Sequence, residues 1–370
     1  MIIYYDESIL TYVSSIRKYF GLDSSYPTNK KFDEIINKNK PEKIFLFLMD
    51  GMGANLIERK LSEDSFLRKN LKFKTQTVFP TTTTAATTSI RNGKGPNENA
   101  WLGWTQYIKE FDDVIIPFLG IGYYNGIKYG NRGDIEKLIP ITDTETELNA
   151  LGIGARKLFP EFEEDGCFTL DKMCERLINY SKTDEYRYIY AYWDKYDTLM
   201  HMHGPNSKIA DSYLEFVNDE LENLANNLDE DTMLVIVADH GQIEVESHYN
   251  LYGSKYDKYF VRKPALETRC QCFYIKEGME EQFEKEFKEE FEERFVLLNK
   301  RQVKETHLFG DLEDAQRFDE FIGDYIAIAK TGMCFKYDDS NHKELKGQHA
   351  GMMDDEIMVP VIIYQKQNGD

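Results

Sequence analysis

The chain has 370 residues, of which 65 are Asp or Glu and 45 are Lys or Arg, and its formal net charge is −20. Such a charge repels polyanions and argues against a binding groove for nucleic-acid polymers. No apolar run approaches the length of a membrane span. The five cysteines have no spacing typical of a disulfide framework, and residues 1–6 have no signal-sequence character. We therefore expect a globular cytoplasmic protein without a membrane segment.

The first predicted element is a strand that ends in a carboxylate. The apolar run 44–49 predicts a strand buried on both faces, and Asp50 follows it directly. Gly51 and Gly53 allow the backbone to turn sharply after this strand. Open α/β sheets bind ligands at such strand ends, so Asp50 is a candidate ligand-binding residue.

A run of four threonines, residues 81–84, follows Phe79 and Pro80. Threonine between a proline turn and a stretch of small residues is typical of a helix N-terminus. Backbone amides at a helix start favour an anion, and a bound metal can deprotonate a hydroxyl group. One threonine of this run is therefore a candidate nucleophile, with Thr83 and Thr82 as the alternatives.

Aromatic residues follow the threonine run closely. Residues 101–107 include Trp104 and Tyr107. Both are candidate substrate-binding residues, because they can form an aromatic wall for a base or another planar leaving group. Ordinary core packing is the alternative interpretation.

The next strand signal, residues 188–193, leads into a possible pair of metal ligands. Asp197 and His201 are four residues apart, so on a helix they share one face and can bind one ion. Asp194 lies on the same face and is the alternative carboxylate.

Two further histidines lie beside buried strands. Residues 233–237 predict a strand that leads into Asp239 and His240, and His349 precedes a second apolar run at 358–364. Oxygen and nitrogen donors together are typical of sites for zinc or a similar divalent ion.

The segment between these two motifs predicts a separate lobe. It contains a strand signal at 270–275, then phenylalanines every four residues from Phe283 to Phe295, which indicate an amphipathic helix. We expect a catalytic domain built from residues 1–242 and 342–370, and an inserted α+β cap of residues 243–341.

Taken together in chain order, these motifs resemble the alkaline phosphatase superfamily, and most closely its type I phosphodiesterase / nucleotide pyrophosphatase branch. That branch has Asp-Gly at a strand end, Phe-Pro-x-x-Thr, Asp-x-x-x-His-x-x-Gly-Pro, Asp-His-Gly and Gly-x-His-Gly. Between residues 44 and 364 the chain has a counterpart of each, the last in the form Gly-Gln-His-Ala. The resemblance implies a three-layer α/β sandwich with a central, mostly parallel sheet.

The resemblance also implies two divalent metal ions, with zinc expected and manganese as the alternative. The implied ligands are two sets of side chains: Asp50, Thr83, Asp239 and His240 for one ion, and Asp197, His201 and His349 for the other. The implied activity is hydrolysis of phosphodiester or pyrophosphate bonds in a small, anionic, nucleotide-like substrate. Thr83 would form a phosphothreonine intermediate.

Other functions on the same framework are a phosphomonoesterase, a phosphonate hydrolase, a phosphoryl transferase or mutase, and a metal-binding scaffold that has lost its activity. Monoesterases on this fold hold a doubly charged phosphate with an additional arginine. The first arginine after Thr83 is Arg91, about 12 Å further along a helix. This distance favours diesters.

Overall fold

The fold is described from a computed structural model that covers residues 3–162, 165–338 and 344–366. Its strands are β1 (Lys43–Met49), β2 (Leu71–Gln76), β3 (Gln106–Ile108), β4 (Asp113–Ile116), β5 (Ile121–Gly122), β6 (Ala155–Leu158), β7 (Tyr188–Trp193), β8 (Thr232–Val237), β9 (Ile243–Glu244), β10 (Ser247–Asn250), β11 (Ala265–Leu266), β12 (Cys270–Phe273), β13 (Phe295–Asn299), β14 (Tyr325–Ala329), β15 (Met333–Lys336), β16 (Gly347–Gln348) and β17 (Met358–Tyr364).

The helices connect and cover these strands. They are α1 (Ile9–Tyr19), α2 (Lys30–Asn39), α3 (Ala54–Lys60), α4 (Phe66–Lys69), α5 (Thr83–Asn92), α6 (Pro96–Asn99), α7 (Arg132–Leu138), α8 (Thr144–Ala150), α9 (Leu170–Ser181), α10 (Lys195–His203), α11 (Lys208–Asn227), α12 (Glu280–Phe291), α13 (Lys300–Glu305), α14 (Phe318–Phe321) and α15 (Asp354–Ile357). In the described ranges, none of them combines the length and apolar character that a bilayer crossing requires.

The central sheet has six strands in the order β2-β17-β8-β1-β7-β6. Strand β1 pairs in parallel with both β7 and β8, and β6 pairs in parallel with β7. Strand β17 is antiparallel to its neighbours β8 and β2. All side chains of β1, β7 and β8 are buried, so both faces of the sheet are covered. The predicted α/β class with a mostly parallel central sheet is confirmed.

A second sheet lies in the segment predicted to form the cap. It is antiparallel, in the order β11-β12-β14-β13, and all its strands fall between residues 265 and 329. Helix α12 buries Phe283, Phe287 and Phe291 against this sheet, and together they form an apolar cluster separate from the main core. The predicted helix ends earlier than the phenylalanine spacing indicates. Phe295 starts β13 and packs its ring into the same cluster.

The two ends of the predicted insert lie side by side. Strand β9 pairs with β16, which brings Ile243 opposite Gln348. The later boundary of the insert, between residues 341 and 342, lies outside the described residues. The division into a catalytic domain and a cap therefore stays a prediction.

A buried ion pair links the second sheet to the segment that follows β16. The Arg269 guanidinium, next to β12, donates to both carboxylate oxygens of Glu356, at 2.8 and 2.9 Å, and both side chains are completely buried. Arg269 also donates to the carbonyl oxygens of Thr331 and Met333. The pair fixes the segment between His349 and β17.

We expect Arg269→Met to destabilise the protein by about 3–5 kcal/mol, because the Glu356 carboxylate would stay buried without its cation. The matched control is Arg301→Met, since Arg301 forms only an exposed ion pair with Glu305 at 3.8 Å. Its cost should be below about 0.5 kcal/mol. Urea unfolding followed by tryptophan fluorescence measures both values. Equal losses in the two variants would contradict the role given to the buried pair.

Candidate active site

The candidate site lies where neighbouring parallel strands end. Asp50 follows β1, Asp239 and His240 follow β8, and the helix that carries Asp197 follows β7. Because these strands are adjacent and parallel, their carboxyl ends meet at one edge of the sheet. His349 joins them through the pairing of β16 with β9.

The first cluster consists of Asp50, Asp239 and His240, all buried, with donor atoms within 4.8 Å of one another. His240 Nε2 lies 3.3 Å from Asp50 Oδ1 and 3.5 Å from Asp239 Oδ2. Neither of these oxygens has a hydrogen-bond partner among the described residues. Buried, unpartnered carboxylate oxygens that converge on an imidazole nitrogen fit a divalent cation.

The second cluster consists of Asp197, His201 and His349, again with donor atoms within 4.8 Å of one another. His201 Nε2 lies 3.1 Å from Asp197 Oδ2. The ring of His349 stacks on that of His240 with centroids 3.8 Å apart. The two clusters are therefore immediate neighbours.

Backbone carbonyls orient the three histidine rings. Each ring places Nδ1 within hydrogen-bond distance of a carbonyl oxygen, which can only accept, so Nδ1 must carry the proton. In the neutral imidazole this leaves the lone pair on Nε2, the arrangement that metal-binding histidines commonly have. The three bonds run from His201 to Gly347 (2.8 Å), from His349 to Thr81 (3.0 Å) and from His240 to Gly241 (3.1 Å).

The ligand-free clusters are electrostatically unfavourable. Burial and the neighbouring carboxylates of Asp239 and Asp197 raise the pKa of Asp50 well above its usual range. Burial also raises the pKa of Asp239, against the opposing effect of His240. Burial would lower the pKa of His201, but the adjacent Asp197 carboxylate outweighs it and raises this pKa to about 9. Bound dications would relieve this concentration of buried negative charge.

Thr83 belongs with the first cluster. Its Oγ1 lies 3.2 Å from His240 Nε2 and 3.5 Å from Asp50 Oδ2. The hydroxyl of Thr82 instead donates to Glu267 Oε1 at 2.5 Å. Asp194 lies just before α10 and is part of neither cluster.

Gly51 is required at this position for two reasons. Its φ of 71° lies in the left-handed region, and an added Cβ would come within 2.9 Å of Asp197 Oδ1. Its N–H donates to Asp239 Oδ1 at 3.2 Å. The turn after β1 thus lets the carboxylates from three strands approach one another.

A cavity of about 790 Å³ opens in front of both clusters. Trp104 forms part of its wall and is 37 % exposed. Tyr107 does not line it. The Tyr107 ring is buried beneath the Arg262 guanidinium, 3.9 Å from the ring centroid, and its hydroxyl donates to Asp112. Aromatic and basic residues also line the cavity, among them Tyr123, Tyr124, Tyr252, Tyr337, Lys263 and Lys336.

The sequence profile of the type I phosphodiesterase / nucleotide pyrophosphatase family matches residues 154–352, more than half of the chain. The chain belongs to this family. The phosphodiesterase family match includes Asp197, His201, Asp239, His240 and His349, whereas the strand end and the threonine run lie before it. The chain is therefore a phosphoester hydrolase from a metal-dependent family.

Solved structures of low sequence identity have the same fold. The human ectonucleotide pyrophosphatase / phosphodiesterase 5 is 15 % identical, with a TM-score of 0.68 over 87 % of each chain. The murine protein of that name, as an inactive threonine-to-alanine variant in complex with AMP, is 13 % identical, with a TM-score of 0.66 over 86 % of this chain and 87 % of that one. Phosphonoacetate hydrolase from Sinorhizobium meliloti 1021, in complex with phosphonoformate, is 13 % identical with a TM-score of 0.61, over 89 % and 92 %. No curated protein sequence gives a significant match.

Three polar residues outside the sequence motifs form hydrogen bonds to the motif residues or to the threonine run. The Tyr192 hydroxyl donates to Asp50 Oδ2. The Gln242 amide donates to the backbone oxygen of Asp197 at 3.2 Å and to its carboxylate. Glu267 reaches the threonine run from the second sheet.

We expect Tyr192→Phe to weaken divalent-metal binding about 10- to 100-fold, because Asp50 would lose the hydrogen bond that orients its carboxylate. The matched control is Tyr190→Phe. Tyr190 lies two residues earlier on the same face of β7, and its buried hydroxyl has no hydrogen-bond partner among the described residues. Titration of the metal-free proteins with zinc, followed by calorimetry, compares the two variants. Equal affinities would show that Tyr192 does not support the site.

Proposed function

We propose that the chain cleaves phosphodiester or pyrophosphate bonds in a small nucleotide-like substrate, with Thr83 as the nucleophile. The observation that carries this proposal is the position of Thr83 Oγ1, 3.2 Å from His240 Nε2 and 3.5 Å from Asp50 Oδ2. A hydroxyl group that shares its surroundings with candidate metal ligands can lose its proton and attack phosphorus.

We further propose two divalent ions, zinc with manganese as the alternative. Both clusters combine carboxylate oxygens with imidazole nitrogens, which is the donor set that zinc prefers. When bound, such ions lower the pKa of the nucleophile and offset the charge that develops on the phosphoryl group. The proposed ligand sets are Asp50, Thr83, Asp239 and His240 for one ion, and Asp197, His201 and His349 for the other.

The reaction then has two steps. Thr83 Oγ forms a bond to phosphorus while the bond to the departing alcohol or nucleotide oxygen breaks, which leaves a phosphothreonine. Water attacks the same phosphorus in the second step, releases the phosphoryl product and restores the threonine hydroxyl. The inactivity of the threonine-to-alanine variant of the murine relative supports a threonine in this role.

The cationic groups around the cavity support a diester. No arginine is among the described residues that line it. Arg91 is buried in an ion pair with Asp143 and has Glu145 nearby. A doubly charged phosphate monoester would therefore lack an arginine clamp. The aromatic wall of Trp104 and the tyrosines supports a planar group, such as a nucleobase, in the substrate.

A substrate panel tests this proposal. Bis-p-nitrophenyl phosphate, p-nitrophenyl phosphate and a nucleotide p-nitrophenyl ester are compared, with zinc and with manganese. We expect the highest kcat/KM on one of the two diesters. A higher value on the simple monoester would contradict the diester assignment. Phosphonoacetate is included because of the structural neighbour that hydrolyses it, and exclusive activity on it would favour a phosphonate hydrolase.

A further inference from the structure

Glu267 places a carboxyl group from the second sheet beside the threonine run. It lies between β11 and β12 and lines the cavity together with Thr83 and His349. Its Oε1 accepts two hydrogen bonds, from the Thr82 hydroxyl at 2.5 Å and from the Trp104 N–H at 2.6 Å. Both donors therefore point into the cavity, beside the residue proposed to attack phosphorus.

These two donors are of the kind that bind phosphoryl oxygens. A backbone N–H and a hydroxyl beside a helix N-terminus favour an anion. Here both donors bind the Glu267 carboxyl group instead. A phosphoryl oxygen cannot use either donor while Glu267 holds them.

No lysine or arginine of the described residues forms an ion pair with Glu267. Lys263 and Lys336 line the same cavity, but Lys263 lies over the Tyr124 ring, 4.7 Å from its centroid, and Lys336 pairs with Glu344 at 2.6 Å. Burial raises the pKa of Glu267, whereas the hydrogen bonds from Thr82 and Trp104 lower it. In its ionised form, Glu267 places a negative charge in the cavity beside Thr82 and Thr83, where the substrate phosphorus must lie.

We propose that Glu267 makes the site selective for singly charged phosphoryl groups, because its carboxylate holds the two donors and repels a second phosphoryl charge. This inference rests on the proposed function and specifies its substrate class as phosphate diesters and other monoanionic phosphoryl groups. A like charge beside the reacting group acts more strongly on a dianion than on a monoanion. Glu267 is therefore a specificity-determining residue contributed by the second sheet.

The test compares Glu267→Gln with Glu267→Asp. Glutamine keeps an acceptor oxygen for Thr82 and Trp104 but removes the charge, whereas aspartate keeps the charge and shortens the side chain. We expect Glu267→Gln to raise the ratio of kcat/KM for p-nitrophenyl phosphate to that for bis-p-nitrophenyl phosphate by roughly tenfold or more. Glu267→Asp should not raise this ratio. An unchanged ratio in Glu267→Gln, or an equal rise in both variants, overturns the proposal.

A binding measurement separates this inference from the proposed function. Inorganic phosphate and dimethyl phosphate are titrated into the zinc-loaded proteins by calorimetry. Glu267→Gln should bind inorganic phosphate roughly tenfold more tightly, with a smaller change for the monoanionic dimethyl phosphate. If the wild-type protein cleaves none of the esters, the proposed function fails, and the binding titration still decides the role of Glu267. Should Glu267→Gln not fold, Glu267→Ala removes the same charge. Phosphate affinity equal to wild type in the folded neutral variant overturns the inference.

Discussion

Replacing Thr83 with alanine is expected to lower kcat by about 10³-fold or more while the protein still binds metal. The substitution removes the only hydroxyl group that lies within 3.5 Å of both Asp50 and His240 among the described residues. The carboxylates and imidazoles of both clusters remain, so most of the metal-binding free energy should persist. Steady-state kinetics on the best diester and elemental analysis of the same sample measure the two quantities.

Two matched variants test whether the position of the hydroxyl is right. Thr83→Ser keeps a hydroxyl group and should retain measurable turnover. Thr82→Val keeps the shape of its side chain but loses the bond to Glu267, so it should retain far more activity than Thr83→Ala. If Thr82→Val is inactive and Thr83→Ala is not, Thr82 is the nucleophile.

Removal of the metal ions is expected to abolish turnover and to lower the Tm. Asp50, Asp197 and Asp239 are buried together, and without dications their mutual repulsion destabilises the folded state. The pKa of His201 in the metal-free protein is raised to about 9, so a proton must leave before its Nε2 can bind an ion. The increase in Tm on adding zinc should therefore be larger near pH 8.5 than near pH 6.5.

Elemental analysis after purification with excess zinc should give two ions per chain. His349→Ala should lose one of them, whereas His248→Ala should lose none, because His248 lies on β10 and faces Glu344. Fewer than one ion per wild-type chain would favour a scaffold over an enzyme. Full turnover after exhaustive chelation would exclude the two-metal proposal.

The strands that position the site could be predicted because each is a short apolar run that ends in a polar residue. Residues 44–49, 188–193 and 233–237 correspond to β1, β7 and β8 almost residue for residue. Parallel strands buried on both faces need such continuous apolar sequences. The pairing order of the strands is not encoded in any local pattern, so the sequence predicts the proximity of Asp50 to Asp239 only through the family resemblance.

The supporting residues could not be predicted, since their roles depend on contacts between distant segments. Glu267 is separated from Thr82 by 185 positions, and no pattern around it distinguishes it from the many other glutamates. From the sequence alone, Tyr192 is predicted only to be a strand residue, because its contact with Asp50 depends on the pairing of β1 with β7. Tyr107 illustrates the opposite case, because proximity in sequence to the threonine run does not bring its ring to the cavity.

The candidate ligands extend along the chain from Asp50 to His349, and this has a consequence for synthesis of the protein. At about 5–20 residues per second, roughly 15 to 60 s separate the emergence of these two residues from a ribosome. During that interval the nascent chain carries the strand-end aspartates without the last histidine, and without β17 between β2 and β8. Metal loading is therefore expected to follow completion of the central sheet, so that a chain stalled between residues 243 and 341 would be metal-free and would lack the strand that joins β2 to β8.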